Sequence, residues 1–134
     1  MSRVRQRDTA PELAVRRVAT NLGLRLGRSN RDLPGSPDLA NRTRRLAVFV
    51  HGCFWHRHPA CSRTTTPKSN RSFWLAKFRR NVERDREALA ALRRLGYRVV
   101  IVWECESENT VTVSRKLAKL LTGPGSRRPL HQIR

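Results

Sequence analysis

Five apolar residues in a row, Leu46-Ala47-Val48-Phe49-Val50, end abruptly in His51-Gly52-Cys53-Phe54-Trp55-His56, with His58 and Cys61 close behind. A short continuous apolar run rich in β-branched and aromatic side chains reads as a buried strand. Such a strand needs cover on both faces, which commits the rest of the chain to layers around a sheet. Its end carries three histidines, two thiols and two large aromatics to one place. The ladder fixes the backbone there while the loop beyond it is free to approach a ligand.

The flanking sequence supplies those layers. Thr9-Ala10-Pro11-Glu12 has a capping threonine, a first-turn proline and a glutamate three residues on, so it predicts a helix carrying Leu13, Val15, Val18, Ala19 and Leu22 up to Gly23. Leu24 to Leu26 reads as the start of a short strand, and residues 27–34 as a polar connection. A second short strand or hairpin is expected after Leu33-Pro34-Gly35-Ser36-Pro37-Asp38-Leu39, turning at Asn41-Arg42-Thr43 into the central strand, Arg45 to His51. Residues 57–72 read as loop. Ser72 is the expected cap of a long helix with Phe73, Trp74, Phe78, Val82, Leu89, Leu92 and Leu95, closed by Gly96. Tyr97 to Trp103 is a second buried-type strand, and Val111 to Leu121 a last helix. The sum is one α/β domain over residues 9–121, a mixed central sheet flanked by helices. A basic arm (1–8) precedes it and a basic tail (122–134), expected to be disordered, follows.

Charge narrows the partner. Twenty-nine basic against 10 acidic residues give a net charge of +19, an excess that fits a polyanion whose condensed counterions lysine and arginine replace. No apolar run approaches the ~20 residues that span a bilayer, and the N-terminus lacks the apolar centre of a signal peptide. A cytosolic protein without membrane contact is expected, with reduced thiols. Three cysteines, an odd number, then favour metal over disulfides.

Two constellations of side chains carry chemistry. Cys53, His58 and Cys61, spaced C-x4-H-x2-C, and the distant Cys105 make a Cys3His set suited to a structural Zn2+, with His51 and His56 as rivals for the histidine place. The bland alternative makes Cys53 and Cys105 small buried hydrophobes and has the histidines bind phosphate or cap turns. Asp38, after Pro37, and His51, ending the next strand, suit work on phosphate: a carboxylate can hold Mg2+, and an imidazole can take a proton from water near neutral pH. His56 with Asp85 forms a candidate base and its orienting acid. Glu12 is a further acid. Each of these signals is weak alone, since Pro-Asp is a common turn and Asp85 sits among solvated charges.

Their conjunction is specific. Asp8-Thr9-Ala10-Pro11-Glu12, Leu33-Pro34-Gly35-Ser36-Pro37-Asp38, Val48-Phe49-Val50-His51-Gly52-Cys53-Phe54-Trp55-His56, Phe73-Trp74, Asn81-Val82-Glu83-Arg84-Asp85 and Val102-Trp103-Glu104-Cys105 follow one another in order over nearly the whole chain. Together they resemble the very short patch repair (Vsr) endonucleases. The resemblance implies a fold like that of type II restriction endonucleases and a Mg2+-dependent enzyme that nicks double-stranded DNA 5′ to the thymine of a T·G mismatch, the product of 5-methylcytosine deamination. It implies Asp38 and the main-chain carbonyl of Val50 as Mg2+ ligands, and His56 as activator of water with Asp85 as partner. His51 and Glu12 would act around the metal through bound water. It assigns Cys53, His58, Cys61 and Cys105 to structural zinc, and Phe54, Trp55 and Trp74 to a wedge beside the mismatch. For that wedge the physics agrees, because a stacked aromatic offsets part of the cost of unstacking and a mismatched step opens more easily. Phe49, Phe78 and Trp103 are expected in the core.

Restriction nucleases usually carry an acid-x-Lys pair on the strand after the first acid; residues 48–52 have none, in keeping with the Vsr variation. The segment before Arg7 is short, which reduces any arm clasping the minor groove. The enzyme is expected to act as a monomer in functional contact with a mismatch-repair sensor or helicase. Two alternatives stand beside this reading: a restriction-like nuclease cutting paired DNA, and a zinc-containing DNA-binding module without catalysis. The second leaves Asp38, a negative charge set beside phosphate, without a purpose.

Overall fold

The computed structural model of the chain describes residues 9–122; the expected basic arm, and the expected tail beyond Thr122, lie outside them. Three helices and three strands follow in the order α1 (Ala10–Asn21), β1 (Leu39–Asn41), β2 (Leu46–His51), α2 (Arg71–Arg94), β3 (Arg98–Trp103) and α3 (Thr110–Thr122), with a single 3-10 turn, Glu104–Glu106, after β3. The sheet order is β1-β2-β3, so the apolar run found in the sequence is its middle strand. β1 pairs with β2 antiparallel (Leu39 opposite Val48), and β3 pairs with it parallel, from Leu46–Arg98 to His51–Trp103. Antiparallel neighbours need only a turn; parallel ones need a crossover, and α2 supplies it.

Alternation along β2 divides the core. Leu46 and Val48 point to one face and pack with Val15, Val18 and Ala19 of α1 and Val113, Leu117 and Leu120 of α3. Ala47 and Phe49 point to the other and meet Leu92 of α2, with Leu89, Val99 and Ile101 around them. The three-strand mixed sheet is therefore covered on both faces.

The local chemistry explains most boundaries. Thr9 Oγ1 accepts the Glu12 N–H at 3.3 Å, one half of the expected capping box. Gly23 and Gly96, at φ +75° and +90°, close α1 and α2 in the left-handed region that glycine enters cheaply. The hairpin turn is tied by Asn41 Oδ1, which accepts the Arg44 N–H at 2.9 Å, and Arg45 at φ +55° delays the strand to Leu46. Gly35 matters most for the site. At φ +74°, a Cβ there would stand 2.6 Å from the Ala88 Cβ and 3.1 Å from the Phe49 ring, so only glycine lets this loop press against α2.

Two expectations need correction. Leu24–Leu26 is no strand: only Gly27 bridges to Ala40, through hydrogen bonds of 2.7 and 2.9 Å, while the Asn41 side chain takes the Arg25 carbonyl. The cap of α2 is Asn70, in a left-handed conformation with no side-chain cap bond, and Ser72 falls inside the first turn. Leu13 in α1, and Leu22 and Leu95 at the C-terminal caps of α1 and α2, are exposed.

Candidate active site and metal centre

Both parallel strands end on the same side of the sheet, where open α/β sheets place their ligands. Asp38 precedes β1, and its Oδ2 accepts the Val50 N–H at 2.6 Å, which pins the carboxylate against the end of β2. The Glu12 carboxyl of α1 lies within hydrogen-bonding range of it. Burial first, then the charge and shared hydrogen bond of Glu12, push the Asp38 carboxyl up to about 6, against the lowering effect of the Val50 amide. Two crowded, partly desolvated carboxylates are an arrangement that a hard cation relieves.

His51 closes β2 and is 5% exposed. Burial, with His56 beside it, lowers its pKa to about 4, so the imidazole is neutral at physiological pH. Its ring stacks on His56 at 3.8 Å and 7°. His56 in turn holds the Asp85 Oδ2 of α2 through Nδ1 at 2.7 Å. With Nδ1 committed to a carboxylate, the other ring nitrogen, Nε2, is left as the acceptor. The buried His51 Nδ1 has no hydrogen-bond partner among the described residues. A pocket of about 190 Å³ opens over Asp38, His51, His56, Arg84 and Asp85. A wider one, about 450 Å³, shares Val50 and His51 with it and runs on past Glu12, Phe54, Trp55 and Glu104. The two adjoin at Val50 and His51, one reaching toward the start of α1 and the other toward the middle of α2.

The second constellation lies just beyond. The ligand atoms of Cys53, His58, Cys61 and Cys105 lie within 4.8 Å of one another. His58 Nδ1 is 3.6 Å from Cys53 Sγ and 3.4 Å from Cys105 Sγ. Tetrahedral zinc, with bonds of about 2.3 Å to sulfur and 2.0–2.1 Å to nitrogen, sets S to N edges of about 3.6 Å. The donor set and its spacing thus suit Zn2+. His58, stacked on Trp103 at 4.2 Å, is the histidine that reaches the thiols, whereas His51 and His56 face the groove. Desolvation and its two sulfur neighbours push the Cys105 thiol up to about 12, a crowding that a coordinated cation reverses.

An aromatic cluster borders the groove. Phe54 meets Phe78 edge-on at 5.3 Å, and Trp55 meets Trp74 at 6.0 Å. Phe78 and Phe49 are buried, as expected of core residues, and Trp103 is half-buried. Trp55 is 45% exposed, and Phe73, which sequence reasoning left on the helix without a role, is 57% exposed. Two further residues were missed. Arg57 lies 3.8 Å over the Phe78 ring while donating to the Phe54 and Thr65 carbonyls, so it ties the loop between His56 and His58 to α2. Glu104 Oε1 accepts the Cys53 N–H at 3.2 Å, joining the zinc loop to the end of β3. Neither has a signal in the sequence, because both partners are remote along the chain.

Comparison with known proteins adds an independent line. A family model described as DNA mismatch endonuclease Vsr matches residues 1–63. The chain is 41% identical over 121 residues to the type II nicking enzyme V.XorIIP of Xanthomonas oryzae pv. oryzae, covering 90% of this chain and 88% of that enzyme. It is 36% identical over 121 residues to the type II nicking enzyme V.NmeAIP of Neisseria meningitidis, covering 90% and 86%. It is 37% identical over 131 residues to the DNA mismatch endonuclease Vsr of Escherichia coli, covering 94% and 83%. No helix among the described residues is long and apolar enough to cross a membrane.

Proposed function

Because the chain belongs to the Vsr DNA mismatch endonuclease family and is a DNA nicking endonuclease, we propose that it cuts one strand of a duplex 5′ to the thymine of a T·G mismatch and so starts very short patch repair. The observation that carries this reading is the groove itself. It sets a carboxylate pair, Asp38 and Glu12, beside the His56–Asp85 couple, and exposed Trp55 borders it. A restriction-endonuclease-like fold agrees with a mixed sheet covered on both faces and an acid beside its central strand.

In this reading Asp38 and the Val50 main-chain carbonyl would hold Mg2+, with Glu12 and His51 acting near it. Bound there, Mg2+ would supply neutralisation of charge on the phosphate. The crowding of Asp38 and Glu12 supports that assignment. His56, oriented by Asp85, takes a proton from the attacking water. The water oxygen bonds to phosphorus, the bond to the leaving sugar oxygen breaks, and that oxygen takes up a proton from solvent. Neutral His51 stacked against His56 lets the second ring accept a proton without meeting another positive charge. Phe54, Trp55 and Trp74 fill the gap opened at the mismatch, and zinc at Cys53, His58, Cys61 and Cys105 holds the loop that carries Phe54, Trp55 and His56.

A second reading is nicking at a fully paired site; the names of two relatives, type II nicking enzymes, specify no mismatch. End-labelled duplexes with one central T·G pair, in varied flanks and beside T·A and C·G controls, separate the two. Cutting confined to the T strand of the mismatch, and only with Mg2+, is expected. Equal cutting of paired controls would establish the second reading instead.

A further inference from the structure

Arg84 lies on α2 beside Asp85 and lines the 190 Å³ pocket together with Asp38, His51 and His56. It is exposed, and its side chain forms no hydrogen bond or ion pair with a described residue, although carboxylates line the same pocket. Asp85, its neighbour in the chain, is committed to His56 at 2.7 Å. Helical spacing explains the placement: Arg84, Asp85, Ala88 and Leu89, one turn apart, form the strip of α2 that faces the pocket. Asp38, Asp85, His51 and His56 include no other fixed positive charge. A phosphodiester in that pocket carries one negative charge, which spreads over its non-bridging oxygens as water adds. A guanidinium is always charged, presents a planar fork matched to two such oxygens, and pairs with them bidentately.

We propose that Arg84 is a further catalytic residue, whose guanidinium holds the non-bridging oxygens of the phosphate being cut and stabilises the charge that grows there. The inference rests on the groove being the nicking centre. The arginine orients the phosphorus toward water at His56 and keeps the charge on the phosphate oxygens from being opposed by Asp85. Arg80, one turn earlier, is also exposed but does not line the pocket. It serves as the control for an ordinary phosphate contact.

The test compares single-turnover nicking at saturating enzyme, and DNA affinity without divalent ions, for the wild type, Arg84→Ala, Arg84→Lys and Arg80→Ala, on whichever duplex the wild type cuts. Arg84→Ala should cut roughly 10²–10³-fold slower at saturation, the loss seen when one donor to a developing oxyanion is removed. Its affinity should fall by less than about tenfold, one phosphate contact's share. Arg84→Lys should fall between, because it keeps charge and loses the fork. Added guanidinium ion should restore part of the Arg84→Ala rate, which a structural role would not allow. Arg80→Ala should lose affinity and keep the saturated rate. Wild-type cutting by Arg84→Ala at saturation, or a loss confined to affinity, overturns the proposal. Asp38→Ala in the same assay separates the two levels. If Asp38→Ala is inert and Arg84→Ala fully active, only the arginine's role falls. If Asp38→Ala cuts like the wild type, the groove reading falls and the arginine's role with it.

Discussion

Replacing Gly35 by alanine should disturb the groove beside Asp38 without touching Asp38, His56 or Asp85. Two costs add. A residue with a Cβ at φ +74° pays about 1–2 kcal/mol for the left-handed conformation. The new methyl also stands 2.6 Å from the Ala88 Cβ and 3.1 Å from the Phe49 ring, an overpacking worth about 1–3 kcal/mol. The expected destabilisation is thus about 2–5 kcal/mol. To restore an ordinary contact the loop must retreat from α2 by roughly 1 Å, given carbon–carbon optima near 3.5–4.0 Å. Asp38 sits on that loop and Asp85 on that helix, so the same retreat pulls the carboxylate away from the His56–Asp85 couple. A displacement of this size costs on the order of 10²-fold in rate. Urea unfolding and single-turnover nicking of Gly35→Ala measure the two effects, and Ala88→Gly supplies the cycle. In the Ala88→Gly background the methyl has room on the helix side, so Gly35→Ala should cost less, leaving the conformational part of about 1–2 kcal/mol and the milder approach to the Phe49 ring. An equal cost in both backgrounds would refute the clash with Ala88, and a Gly35→Ala protein as stable and active as the wild type would refute the whole argument.

The other structural claims are open to similar checks. Cys105→Ser should bind less zinc and melt roughly 10 °C or more lower, equivalent to about 2 kcal/mol at 4–8 °C per kcal/mol; equal metal content and melting in mutant and wild type would remove the zinc assignment. Trp55→Ala should weaken binding to a T·G duplex by about 1–3 kcal/mol, the worth of one stacked base, with a smaller loss on paired DNA. Equal losses on both duplexes would make Trp55 a general contact. Arg57→Ala removes the cation over Phe78, worth about 0.5–2 kcal/mol, and should raise protease cleavage in residues 57–66 while leaving α2 intact; unchanged cleavage there would show that the cation over Phe78 does not hold the loop.

Legibility in the sequence followed the range of the interactions. β2 announced itself because burial on both faces leaves an unbroken apolar run, and the hairpin because Asn41 ties its own turn. Three zinc candidates were readable from a spacing within one loop, but the spacing alone left His51, His56 and His58 as rivals. Their separation is three-dimensional: β2 turns His51 onto the α2 face, whereas His58 stacks on Trp103 next to Cys105. Glu12 looked like the second half of a capping box, and its meeting with Asp38 depends on how α1 crosses the end of the sheet. The start of α2 was misplaced because a left-handed Asn70 with no side-chain cap bond leaves no capping pattern to read. Arg57 looked like one of many basic residues, and Arg84 like one member of the block from Asn81 to Asp85; only the positions of Phe78 and of the pocket distinguish them.

The central claim is that the groove between the end of β2 and α2 is where the strand is cut. Nicking and DNA binding measured side by side for Asp38→Ala and His56→Ala address it. Asp38→Ala should cut roughly 10³-fold slower or worse, the several kcal/mol that charge stabilisation on the phosphate supplies. His56→Ala should lose about 10²–10⁴-fold, the range for a positioned base. Both should bind the mismatched duplex within about threefold of the wild type, since neither removal takes away a positive contact. Variants that bind normally and still nick at the wild-type rate would place the reaction elsewhere on the protein.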